Sequence, residues 1–159
     1  MLYGNWSNLI RKLDQFQSEL DDLIKQALIQ SGEYVESTAV KHLKNQDLPW
    51  QPLTPRYLAR KLRYKAKGSR TLSEKILIAT GTYFQSITTY IEGLIAFVGV
   101  KRGVAREEDG TDVVNIAIVH ELGAPNANIP ARPLWKPTLE ECKNEIIERF
   151  KKALIRLLR

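Results

Sequence analysis

The chain has 159 residues, 43% apolar and 26% charged, the balance of an ordinary folded domain able to bury about two-thirds of its unfolded surface. No apolar run approaches the roughly 18 residues of a membrane span, no basic-then-apolar leader marks a signal peptide, and a lone cysteine, Cys142, excludes an intramolecular disulfide. The net charge of +6 is local: Arg56, Arg60, Lys61, Arg63, Lys65, Lys67, Arg70 and Lys75 face only Glu74 in their segment, a net +7, so the rest of the chain sums to −1. These features fit one domain, 1–159, folded in a reducing compartment. They divide it into an N-terminal helical arm, 1–46, and a core, 47–159.

The arm reads as a long helix from about Asn5 to Asn45, with a candidate break at Ser31-Gly32. Leu9, Leu13, Phe16, Leu20, Leu23 and Ala27 recur at alternating steps of four and three, an apolar stripe along one face. Such a stripe packs either on the protein's own sheet or, because it outruns a small core, on a neighbouring subunit. Pro49 and Pro52 then force extended backbone on their predecessors. Thr54-Pro55 reads as an N-cap with a first-turn proline, starting a short helix to about Ala66. Its apolar side is Leu58 and Leu62. Arg56, Arg60, Arg63 and Lys67 fall at steps of four, three and four, one basic face.

Thr71 and Glu74 match a capping box, so a helical turn before Gly81 and an extended Ile76–Ile78 are both open. Tyr83–Ser86 suits another turn. Ile87–Ile91 and Leu94–Val100 are β-branched and aromatic and flank Glu92-Gly93, which predicts a β-hairpin. Lys101–Asp112 is a polar, acidic loop. Val113–Val119 reads as a third strand on β-propensity, with a short helix ending at Gly123 as the alternative. Thr138 and Glu141 form a second capping box before a C-terminal helix carrying Leu139, Cys142, Ile146, Phe150, Ala153 and Leu157 at helical spacing. The expected fold is α+β: a small antiparallel sheet with the long N-terminal helix, the short basic middle helix and the C-terminal helix packed against it.

Catalytic signatures are missing. There is no Walker A sequence, no G-x-G-x-x-G and no G-x-S-x-G elbow. His120-Glu121 begins like a zinc-protease helix, but the second histidine would fall at position 124, which is alanine. His42 and His120 are the only histidines, so neither a cofactor, a metal nor an enzymatic reaction is expected. The basic face is the feature most open to function. It suits either an acidic partner surface or a phosphate backbone, with Tyr57 and Tyr64 nearby.

Between Ala124 and Pro137 lie Pro125, Pro130, Pro133 and Pro137, so the segment should be a stiff extended strap with little entropy to lose on docking. It would aim Arg132 and Trp135, residue types favoured as interface anchors. The alternative is that it only packs across the domain. Pro130, Arg132, Pro133 and Trp135 are the candidate assembly interface.

His120-Glu121-Leu122-Gly123, then Ile129-Pro130-Ala131-Arg132-Pro133 and a C-terminal helix, resembles the phage virion morphogenesis or tail completion proteins of the Mu-like and P2-like group. The head–tail joining proteins of long-tailed phages share the pattern. Trp50-Gln51-Pro52-Leu53, the basic helix, and Thr80-Gly81 with Ser86-Ile87 ahead of a hairpin agree in order. Leu134 departs from it, standing where phenylalanine is expected. The resemblance covers Trp50 to the end. It implies a structural protein of the neck or upper tail, assembled in the host cytoplasm into the virion. Its partners would be other copies in a ring, a hexamer like the tail, neighbouring neck and tail proteins, and packaged DNA through non-specific contact, with no membrane.

Overall fold

The computed structural model describes residues 6–65, 74–106 and 110–158. Helix α1, Trp6–Asn45, is a single helix of 40 residues, about 60 Å long at 1.5 Å per residue. It does not break at Ser31-Gly32. Gly32 instead marks the point where α1 crosses the sheet: a Cβ there would stand 2.4 Å from Thr89 Cγ2. The glycine is a contact requirement, not a helix end.

Helix α2, Pro55–Lys65, starts as expected, with Thr54 Oγ1 accepting from the Tyr57 amide at 3.3 Å. Thr71 lies outside the described residues. From Glu74 to Gly81 the chain turns without forming a helix, and Leu77 takes a left-handed φ of 61°. One helical turn, α3 (Thr82–Gln85), follows, as the Tyr83–Ser86 turn predicted. The hairpin forms from β1, Ile87–Glu92, and β2, Ile95–Val100, in antiparallel register with Ile87 opposite Val100 and Glu92 opposite Ile95. Its turn is Gly93-Leu94, one residue later than the sequence suggested, with Gly93 at φ 56°, the left-handed conformation hairpin turns require.

The expected third strand is a helix, α4, Val113–Leu122. The Asp112 carboxylate accepts from the Val114 amide at 2.8 Å and caps it, and Gly123, at φ 78°, ends it. β-propensity was overridden because the two ends carry helix signals and Val113 and Ala117 are buried on one side. The sheet therefore has two strands among the described residues.

Helix α5, Trp135–Leu157, runs antiparallel to the C-terminal half of α1. Glu141 lies 3.3 Å from His42, and Arg149 sits 5.0 Å over the Tyr34 ring. The capping box at Thr138 and Glu141 is not used. Thr138 is inside the helix, its hydroxyl donating to the Leu134 carbonyl at 2.6 Å. The core is formed by Ala39 and Leu43 of α1, Trp50, Tyr83, Ile87, Val113 and Ala117 of α4, and Leu134. It thus begins inside α1, not after it.

Candidate functional site

The strap is not extended throughout. Pro125–Ala127 forms a 3-10 turn, Asn128 turns left-handed at φ 53°, and Ala124 pairs with Ile129, closing a small loop. Proline restrains its predecessor but also starts such turns, and here the second effect decides. Only the part after Ile129 runs extended into α5.

Gly123 permits the loop to return over the end of α4. Its Cβ would lie 2.9 Å from the Ala131 amide nitrogen, and its φ is left-handed, so alanine fits neither the space nor the backbone. Across that approach the Arg132 amide donates to the His120 carbonyl at 2.6 Å.

Glu121 then reaches the start of α5. Its Oε2 accepts from the amides of Leu134 at 2.7 Å and Trp135 at 3.2 Å, and Oε1 from Lys136 at 3.3 Å. A helix N-terminus exposes amides that its own residues cannot satisfy and favours negative charge. α5 has no side-chain cap from its own N-cap residue, Leu134. The cap comes from another helix.

Two more bonds fix the strap on its other side. Trp50 Nε1 donates to the Pro133 carbonyl at 2.8 Å, and Arg132 Nε to the Gln51 carbonyl at 3.2 Å. Leu134, where the resemblance leads one to expect phenylalanine, is fully buried. Trp135 is half-buried against the core. Its indole lies beside Tyr83, whose hydroxyl is pushed well above the ordinary phenol range by burial and by the Glu121 charge. Of the four proposed interface residues, Arg132 is buried, Pro130 and Trp135 are half-buried and Pro133 is exposed.

The joint also carries desolvated basic groups. Burial and, secondarily, the Arg132 charge lower His120 to about 4, so its imidazole is neutral at pH 7. Its Nδ1 has no hydrogen-bond partner among the described residues. Lys61, which lies off the basic face of α2, points inward, 6% exposed, donating to the Lys75 carbonyl at 2.7 Å. Burial and then Arg132 lower its ammonium to about 8. Arg56, Arg60 and Arg63 stay exposed, Arg60 lying 5.0 Å over the Tyr57 ring. Lys67 lies outside the described residues.

Cys142 is fully buried against Thr38, and burial raises its thiol, a poor setting for a nucleophile. Among the described residues no three of His, Cys, Asp and Glu gather as metal ligands, and no helix is long and apolar enough to cross a membrane.

Sequence reasoning missed Glu121 as a cap and Lys61 as a buried amine. For Glu121 the sequence pointed away, since Thr138 and Glu141 offer a capping box of their own and the uncapped start at Leu134 shows only in the structure. For Lys61 there was no signal, because its spacing places it between the two faces of α2.

Large apolar side chains left exposed among the described residues lie elsewhere. Trp6, Leu9, Ile10, Leu13 and Phe16 of α1 are between 45% and 68% exposed. Tyr90, Ile95 and Phe97 line the outer face of the hairpin at 50% or more, the Tyr90 and Phe97 rings stacked with centroids 6.4 Å apart. Comparison with protein-family models, with curated proteins and with solved structures returned no match.

Proposed function

We propose that this protein is a structural component of a tailed-phage particle, acting at the neck or upper tail by protein–protein assembly and not by catalysis. The observation that carries the reading is the amount of large apolar surface left exposed among the described residues, on the first turns of α1 and on the hairpin. Contiguous apolar surface of that kind on a small protein marks contact with other proteins.

A second observation supports the same reading. Several of the residues that carry the resemblance meet at one joint: Trp50 holds Pro133, Arg132 holds Gln51, and Glu121 caps α5. A pattern of weak motifs gains weight when its members depend on one another physically. The resemblance adds a ring of copies, sixfold like the tail, with neck and tail proteins as neighbours. The strap then acts as the brace that fixes α5 within each copy, more than as the contact itself.

Deleting the gene tests this. Unjoined heads and tails, or defective tails, are expected in electron micrographs of the lysate. Joined, infectious particles in its absence overturn the reading. The exposed Arg56, Arg60 and Arg63 favour one alternative, contact with DNA. It requires affinity that falls by several decades between about 50 and 200 mM salt if six or more phosphates are contacted, and undetectable binding at the lower salt removes it.

A further inference from the structure

The apolar face of α1 does not stop where α5 stops. Glu141 stands beside His42 and Arg149 beside Tyr34, and by extension of those pairs the end of α5 at Leu157 is level with Gln26. Ala27 is buried there, Leu20 and Leu23 are half-buried, and every residue from Trp6 to Glu19 is exposed. The helix therefore projects beyond the body of the protein by about 20 Å.

Along this projection a heptad of apolar residues runs unbroken, with Ile10 and Ile24 on its flank. Trp6, Leu13, Leu20 and Ala27 occupy one seam position and Leu9, Phe16 and Leu23 the other, at unbroken steps of three and four. Such a repeat packs a partner helix by knobs into holes. Lys12 and Glu19 fall at the same flanking position, one heptad apart, and both are exposed. In an antiparallel pair of identical helices these flanking positions face each other across the seam. The register that matches Leu13 with Phe16, Leu9 with Leu20 and Trp6 with Leu23 also brings Lys12 beside Glu19 of the other copy, twice by symmetry. A parallel pair would set Lys12 beside Gln17 and Glu19 beside Ile24, with no charge partner.

The same arrangement continues the existing packing. α5 runs antiparallel to α1, so an antiparallel second copy runs in line with α5 and begins where α5 ends. The positive N-terminus of the incoming helix then follows the negative C-terminus of α5, beside Leu158, which is 80% exposed.

We infer that the projecting segment of α1, from Trp6 to Leu23, pairs with the same segment of a second copy in an antiparallel two-stranded coiled coil centred near Asp14-Gln15. The partner is another chain of this protein, joined by a two-fold contact distinct from any ring contact. The inference does not rest on a role in phage assembly, and the pairing forms with purified protein alone.

Light scattering of the purified full chain is expected to give an even number of copies, a dimer in the simplest case. Leu13→Asp with Phe16→Asp should halve that mass while circular dichroism keeps the helical signal of the folded body. Lys12→Glu alone should weaken association by about tenfold, and Glu19→Lys alone likewise, because each single change sets like charges together at two symmetric sites. Combining Lys12→Glu with Glu19→Lys should restore it. A monomer at 100 μM, or a mass unchanged by the aspartate pair, overturns the proposal. So does an association that ignores the charge exchanges, the result expected of a parallel pair or of binding through the hairpin. The charge variants lie on an exposed face and leave folding intact, so the reading does not depend on the aspartate variant alone.

Discussion

The two ends of the α1 stripe obey the same sequence rule and meet opposite fates. From Ala27 to Leu43 the helix is covered by α5 and the hairpin, and Ala39 and Leu43 are fully buried. From Trp6 to Phe16 an equally regular stripe faces solvent. Periodicity states that a face must be covered, not by what. The covered end meets α5, whose start is anchored by Gly123, Glu121, Trp50 and Arg132. The projecting end has no such device among the described residues, and the proposed antiparallel pairing would cover it with a second copy.

That contrast can be broken most forcefully at Gly123. Gly123→Ala places a side chain on a left-handed φ and against the Ala131 amide, and should cost about 3 kcal/mol or more in urea unfolding. Glu121→Ala should cost about 2–3 kcal/mol by stripping a charged cap from three amides. Hydrogen exchange should show α5 released before the hairpin; equal protection of both would mean the cap is not what holds α5.

Acid probes the same joint. The folded His120 titrates near 4, below its unfolded value near 6.5, so the unfolded chain takes the proton first. Its contribution is intact above pH 6.5 and is lost as pH falls toward 4. The loss should be on the order of 2 kcal/mol, less than full conversion of the shift because the ring is partly solvated. His120→Gln should flatten the difference between urea midpoints at pH 7 and pH 4.5 relative to the parent chain. Trp50→Phe comes next, with about 1 kcal/mol lost along with the bond to Pro133. Smallest is Phe16→Ser, expected within about 0.5 kcal/mol when the protein is dilute enough to be monomeric. A larger effect there would show that the projecting end already has an intramolecular partner.

Much of the architecture was legible. The 3.6-residue spacing marked α1 and α5, Thr54-Pro55 marked the start of α2, and β-branched runs around Glu92-Gly93 marked the hairpin. The errors share one cause, a local signal with two readings. Val113–Val119 has the composition of a strand, yet Asp112 and Gly123 close it as a helix. Ser31-Gly32 resembles a helix end, yet the glycine serves the approach of Thr89. Thr138 and Glu141 spell a capping box, yet Glu121 caps the helix first. Of the candidate site residues, the exposed arginines of α2 and the strap's link to α5 were readable. The inward turn of Lys61 and the burial of Arg132 were not, because spacing within an element does not say which neighbour lies across from it.

By itself the sequence determined most of the elements, their amphipathic faces, the concentration of positive charge in one segment and an apolar stripe along α1 whose cover it left open. These follow from periods of two and 3.6 residues, from proline and glycine geometry, and from counting charges. Tertiary structure decided which half of α1 is covered, what caps α5 and which cations lose their water. Each of those depends on residues far apart in the chain: Trp50 on Pro133, Arg132 on Gln51, Gly32 on Thr89. No local pattern encodes such a distance, since the partners meet only when the chain between them has folded.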